Sequence, residues 1–267
     1  MWNISKKARE FQRADAIVVS IPTSGRTWMR VFLHAYFAEI SDTEFDWHAH
    51  KTVNKTFPLV LFTHDLWAHR HTTSTWRRWR GRNRIPDDLR HNKKIILLAR
   101  DPRDVMVSLY FQLSKRENRF IGEMDVFLKH PKFGIESVVG IMNEWIDQWW
   151  GKPTFKLIRY EDCRRDPHRE FASLLEFIGD IALDDELVAK SLEFASFEKM
   201  KNLEKSKHVE SKSLRPSDDN DPDSFKVRRG KVGGYKDYLD AADQAYLESA
   251  IAGLDTRFGY QQVARTD

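Results

Sequence analysis

Residues 18–30 read VVSIPTSGRTWMR, and the reading of this stretch decides the fold. The apolar run leading into it, Ala16 to Ser20, shows no alternation and so reads as a strand buried on both faces. Beyond the turn Pro22-Thr23-Ser24-Gly25, apolar residues recur at steps of three and four: Met29, Phe32, Leu33, Tyr36, Phe37 and Ile40. That spacing predicts a helix over 25–40 with one stripe facing a core. A strand that feeds a helix through a tight turn leaves backbone N–H groups without partners at the helix start, where the helix dipole also favours an anion. Gly25 lets a ligand approach the backbone, and Ser24 and Thr27 add hydroxyl donors. The spacing G-x-x-x-x-G-K-[ST] is absent and no lysine follows Gly25, so this is not a Walker A loop. Taken alone, the segment fits a capped strand-to-helix turn as well as it fits a phosphate site.

Outward from this turn, Leu59 to Thr63, Lys94 to Ala99 and Phe155 to Arg159 read as three more strands. Asp101, Pro102 and Asp104 supply an N-cap, a first-turn proline and a capping-box acid for a helix to about Lys115; Asp166 and Pro167 open another to about Gly179. Strands alternating with helices predict an α/β fold, with three layers (αβα) around a central, mainly parallel sheet and a P-loop-like turn at residues 22–25. At roughly 100 to 200 residues per domain, the chain is one large domain or two small ones. No repeat or low-complexity tract marks a second unit, so the expectation is a single domain over 1–267. Residues 72–92, TTSTWRRWRGRNRIPDDLRHN, read as a loop or short insertion. Residues 204–227 are strongly polar with two prolines, and a mobile, functional segment is expected there.

The 44 basic and 40 acidic side chains leave +4, too small a surplus to indicate a nucleic-acid binder and equally suited to an anionic small ligand. No apolar run approaches the ~18 residues a membrane span needs. The N-terminus has no apolar stretch followed by a small-residue cleavage site, and the single cysteine, Cys163, excludes an internal disulfide. Both features point to a reducing cytoplasm.

Two clusters sharpen the reading of the turn. ARDPRDVMVSLYFQ (99–112) places Arg100 at the end of a strand; Val105, Met106, Leu109 and Leu113 make the stripe of the next helix, and Ser108 lies off it. VRRGKVGGY (227–235) sets Arg228 and Arg229 beside Gly230, Gly233 and Gly234, a pairing of arginine with glycine-opened backbone that suits a phosphate gripped from two sides.

Together these segments resemble the nucleotide-dependent sulfotransferase family, whose sulfuryl donor is 3′-phosphoadenosine 5′-phosphosulfate (PAPS). IPTSGRTWM is similar to the family's 5′-phosphosulfate loop Y-P-K-S-G-T-T-W, and RDPRDVMVSLY to its 3′-phosphate motif R-N-x-x-D-x-x-V-S-x-Y. RYEDCRRDPHREFASLLEFIG resembles its Y-E-D segment, and VRRGKVGGYK its R-K-G-x-x-G-x-W-K segment. The resemblance implies that Thr23 and the amides of Ser24, Gly25, Arg26, Thr27 and Trp28 hold the 5′-phosphosulfate, with Trp28 on the adenine. It assigns the 3′-phosphate to Arg100, Ser108, Arg228, Arg229 and Gly230, and places Tyr160 and Phe197 at the adenine. His64, in FTHDLW, matches the histidine of the family's K-T-H segment and is expected to act as the base, with Asp65 orienting or replacing it. Glu161 and Asp162 are expected to be structural.

The sequence departs from this family at two cations. Thr23 stands at the loop lysine and Phe62 at the lysine of K-T-H, and Arg26 is expected to supply the missing charge. Gly234 and Tyr235 stand where the family often has Asp-Trp, and the segment K-x-x-x-T-V-x-x-x-E of its common dimer contact is absent, which leaves the oligomeric state open. The expected acceptor is a hydroxyl of a carbohydrate, lipid or small metabolite, with Trp76, Trp79 and Arg77, Arg78 and Arg80 either lining its site or covering a surface. Peripheral contact with a membrane stays open, and no metal is expected.

Three other readings remain at this point. A P-loop kinase or nucleotide hydrolase needs a loop lysine and a magnesium carboxylate, neither assignable here. A metal-dependent hydrolase would draw on His48, His50, His64, His69 and His71, yet no H-E-x-x-H or cysteine pair accompanies them. A non-catalytic nucleotide binder would have lost both lysines along with turnover.

Overall fold

The computed structural model describes residues 6–46, 57–79, 81, 83–179, 181, 183–205, 221 and 224–261. The chain runs α1 (Lys6–Arg13), β1 (Ala16–Val19), α2 (Arg26–Ile40), β2 (Val60–Thr63), α3 (Asp65–His71), α4 (Thr75–Trp79), β3 (Lys94–Ala99) and α5 (Pro102–Phe111). It continues through α6 (Met124–Leu128), α7 (Ile135–Trp149), β4 (Phe155–Arg159), α8 (Tyr160–Arg165), α9 (Pro167–Ile178), α10 (Asp185–Phe194), α11 (Phe197–Lys205) and α12 (Ala241–Ile251).

The four expected strands pair in parallel in the order β2-β1-β3-β4, with Val18 opposite Phe62 and Ile96, and Leu97 opposite Leu157. The apolar runs of β1 and of β3 from Ile95 onward follow from burial on both faces, whereas β4 at the sheet edge carries Lys156 and Arg159 and is mostly half-buried. Ile17, Val19, Ile95 and Leu97 join a core with Val105, Met106 and Leu109 of α5 and Val138 and Trp145 of α7. Ala16, Val18, Ile96 and Leu98 join a second core with Phe32, Leu33 and Tyr36 of α2 and Phe171 and Leu174 of α9. The sheet is therefore the middle of three layers. Phe32 is fully buried, and truncating such a side chain to alanine costs about 3–5 kcal/mol.

Helix boundaries follow their local chemistry. Asp101 caps α5 by accepting from Arg103 N, and Asp166 caps α9 by accepting from Arg169 N, each ahead of a first-turn proline. The capping-box role expected for Asp104 is overturned: the amide of Asp101 donates to Glu161 Oε1, while Asp104 reaches a remote glycine loop. The helix begun by α5 continues as one π turn, Gln112–Arg116. Within 72–92 the short α4 forms, with Trp76 and Trp79 exposed on it. Trp145 and Trp149 are packed in the core and Trp150 lies at the surface. No helix among the described residues is long and apolar enough to cross a membrane.

Candidate active site

The carboxyl ends of all four strands open into one cavity of about 380 Å³. Pro22 to Trp28 follow β1, His64 follows β2, Arg100 follows β3 and Tyr160 follows β4, and all of these segments contribute to its wall. The chain leaves β1 towards β2 on one side and returns to β3 on the other, so the cavity sits at the point where strand order reverses, the usual ligand crevice of an open α/β sheet.

At the β1 end, Gly25 is the N-cap of α2 at φ 97°, and a Cβ there would lie 2.6 Å from Tyr160 Cδ2. Only glycine meets both demands. Thr23 also has a left-handed backbone, φ 71°, an uncommon state for a β-branched residue. The Thr23 hydroxyl is buried without a hydrogen-bond partner among the described residues. Thr23, Gly25, Arg26, Thr27 and Trp28 line the cavity, whereas Ser24 is buried beneath it. Trp28 meets Tyr160 and Phe171 edge to face, with ring centroids 6.0 and 5.1 Å away.

The opposite end is built from α5 and the glycine loop. Arg100 donates from Nη1 to Thr23 O (3.0 Å) and Ser108 Oγ (3.3 Å) and from Nη2 to Lys231 O (3.3 Å), while its guanidinium lies 4.8 Å from the centre of the Tyr160 ring. Asp104 accepts from the amides of Gly233 (2.8 Å) and Tyr235 (2.9 Å), which fixes the glycine loop against α5. Arg228 stacks 4.1 Å from the Phe111 ring centre, and Arg229 pairs with Asp237 at 2.6 Å. Tyr160 donates its hydroxyl to Gly230 O at 3.2 Å, and a Cβ on Gly230 would come within 3.1 Å of Phe197. Trp28, Arg100, Ser108, Tyr160, Phe197, Arg228, Arg229 and Gly230 thus share one cavity wall.

The remaining wall carries His64. Its Nδ1 lies 2.8 Å from Ser20 O, and a carbonyl there can only accept, so Nδ1 carries the proton and Nε2 is the basic nitrogen. Burial, then Arg26, Lys226 and Arg30, hold its pKa well below the usual value near 6.5. Burial and Arg30 pull Arg26 down to about 9. Asp65 does not face the imidazole's neighbourhood: Oδ1 accepts from Ile85 N (2.6 Å), Oδ2 from Trp145 Nε1 (3.0 Å), and it is absent from the cavity wall. Glu161 accepts from Asp101 N and Tyr260 Oη, and Asp162 pairs with Arg159 and Arg165, so both carboxylates are engaged in structure.

Several wall residues escape sequence reading. Lys226, Arg116 and Arg164 line the cavity, and Glu204, buried, accepts from the amides of Lys226 (2.6 Å) and Val227 (2.9 Å). Lys226 lies in a run so polar that its sequence does not distinguish it from the residues around it, and Arg116 stands at the end of the π turn. Most of the segment expected to be mobile, 206–220 with 222 and 223, lies outside the described residues. Trp76 and Trp79 do not line the cavity, and Arg80 lies outside the described residues. So do His48 and His50; His71 is buried against Ser137, and among the described residues no cluster of three His, Cys, Asp or Glu is arranged around a metal.

Comparison with known proteins places the chain in a family. A family model described as a sulfotransferase domain covers residues 13–266. Sulfotransferase 1E1 of Bos taurus is 33% identical over 156 residues, 57% of this chain and 51% of that protein, so the chain spans about half the length of this relative. Sulfotransferase 1A1 of Bos taurus is 27% identical over 278 residues, covering 92% of this chain and 86% of that one. A crystal structure of retinol dehydratase in complex with androsterone and the inactive cofactor PAP superposes with a TM-score of 0.64 at 18% identity, covering 89% of this chain and 79% of that one, which is a likeness of fold.

Proposed function

We propose that this chain, which belongs to the sulfotransferase domain family, transfers a sulfuryl group from PAPS to a hydroxyl of a carbohydrate, lipid or small metabolite, with residues 1–267 acting as one domain. The observation that carries this reading is Arg100. A single guanidinium touches the loop after β1, the serine of α5 and the glycine loop, so two anion-binding ends lie close enough for one doubly phosphorylated adenosine. A Walker-type kinase would not need the second end.

The residues present fit such a donor. Thr23 to Trp28 offer backbone amides and a helix start to the 5′ end, and Arg100, Ser108, Arg228, Arg229 and Gly230 offer cations and donors to the 3′-phosphate. Trp28, Tyr160 and Phe197 offer aromatic surface to the adenine between them. The donor supplies the activated sulfuryl group: the acceptor oxygen bonds to sulfur, the bond from sulfur to the bridging oxygen breaks, and adenosine 3′,5′-bisphosphate (PAP) leaves.

His64 takes the acceptor proton. Its Nδ1 is held on Ser20 O, so Nε2 presents a lone pair, and its depressed pKa keeps that nitrogen unprotonated at neutral pH. Arg26, at the helix start and one residue past Gly25, provides positive charge at the reacting end where the family's loop lysine is missing. Asp65 anchors the β2–α3 turn to Ile85 and Trp145 and keeps His64 in place through the backbone.

Calorimetric titration of the protein with PAP and with ATP, both without magnesium, tests the reading. Binding of PAP with no binding of ATP is expected. The reverse preference would overturn the transferase in favour of a nucleoside triphosphate enzyme.

A further inference from the structure

Loss of both family lysines leaves the reacting end short of an ammonium group, and the wall that faces His64 contains one from another part of the chain. Resting on the PAPS-dependent reading above, we propose that Lys226 is a catalytic residue, its ammonium placed against the transferring sulfuryl group in the role that Phe62 cannot fill, alongside Arg26 at the loop.

Geometry supports this in three ways. Lys226 lines the same cavity as His64 and Arg26. It precedes Arg228 by two residues, so the segment proposed to hold the 3′-phosphate also carries a cation into the cavity close enough to act on His64. Its backbone is fixed by a buried carboxylate: the two oxygens of Glu204 accept from Lys226 N and Val227 N, and Glu204 itself is only 1% exposed. A carboxylate with two charge-assisted bonds to consecutive amides holds the start of a side chain firmly, which is what an electrostatic catalyst requires.

The electrostatic surroundings agree. Burial, then Arg26, Arg116 and Arg30, draw the pKa of Lys226 down to about 7, with Glu204 opposing them. Lys226 in turn helps to depress His64, so ammonium and imidazole share one field. An amine so crowded by cations is only partly protonated at neutrality. An anion brought into the same space restores its charge, so donor binding should take up a proton there.

The test uses PAP and PAPS as probes, titrated calorimetrically at pH 8 into the whole protein in buffers of differing ionisation enthalpy. The wild-type protein should prefer PAPS over PAP and take up protons with PAPS. Lys226→Met should leave PAP affinity within about threefold, weaken PAPS about tenfold or more, as the loss of one charge-assisted hydrogen bond implies, and abolish the proton uptake. Lys226→Arg should keep the PAPS preference and lose the uptake, because guanidinium is already charged. If Lys226→Met retains both the preference and the uptake, Lys226 has no such role. If the wild-type protein binds neither nucleotide, the donor reading itself falls, and the two failures are thereby told apart.

Discussion

Arg100 Nη1 donates to the carbonyl of Thr23 at 3.0 Å, joining the carboxyl end of β3 to the loop that follows β1. The two residues are 77 positions apart in sequence, and their bond ties together the two segments proposed to hold the two ends of the donor. Arg100→Ala should therefore weaken PAP by about 10- to 150-fold, the equivalent of one charged hydrogen bond to phosphate at about 1.5–3 kcal/mol. Arg100→Lys should recover only part of this, since an ammonium cannot serve Thr23, Ser108 and Lys231 with a planar fork. Isothermal titration with PAP reads both; unchanged affinity in the alanine variant would remove Arg100 from the site.

Gly25→Ala should abolish measurable PAP binding while leaving a folded protein. A Cβ would intrude to 2.6 Å of Tyr160 on a backbone at φ 97°, so the loop or the ring must shift. The left-handed conformation alone costs about 1–2 kcal/mol for a residue with a side chain. Circular dichroism for fold, with calorimetry for PAP, distinguishes a distorted site from an unfolded chain.

Asp104→Asn leaves one amide oxygen for two donors, Gly233 N and Tyr235 N, so one buried N–H loses its partner at about 1–3 kcal/mol. Urea unfolding should show that loss, and PAP affinity should fall with it because the Arg228–Gly230 segment is no longer held to α5. Stability lost with affinity intact would mean that the glycine loop takes no part in binding.

Acid should protonate His64 only well below pH 6.5. The unfolded chain takes up this proton near pH 6.5 and the folded one does so only at lower pH, because burial and then Arg26 and Lys226 oppose the charged form. The stability that depends on a neutral His64 is therefore complete above pH 6.5 and drains away as pH falls beneath it. Proton NMR of the imidazole, assigned with His64→Gln, should show no titration between pH 8 and 6.5. A midpoint at or above 6.5 would contradict the depression of this imidazole by burial and the neighbouring cations.

The strands and the principal helices were legible because runs such as Ile95–Ala99 carry no polar alternation and because Asp101 and Asp166 sit directly ahead of prolines. The turn after β1 and the clusters around Arg100 and Arg228 stood out as glycine and arginine patterns, but only the family resemblance gathered them into one expected site. Long-range polar contacts were not legible. Asp104 has the spacing of a local capping acid, and its turn towards Gly233 and Tyr235, more than a hundred residues away, leaves no trace in its own neighbourhood. Glu204 and Lys226 belong to a polar stretch whose composition suggests solvent, and only the tertiary structure buries the one and brings the other to the cavity wall. The absent lysines at 23 and 62 could be read directly; the position of a replacement could not.

Arg26 and Lys226, with Arg30 close behind, repel one another inside a partly dehydrated recess. Such a recess favours a small tetrahedral oxyanion on electrostatic grounds. If the donor reading proposed above holds, inorganic sulfate and phosphate should compete with the nucleotide for this recess, and the fraction of protein ready for work should then depend on the mineral content of its surroundings as well as on the supply of donor.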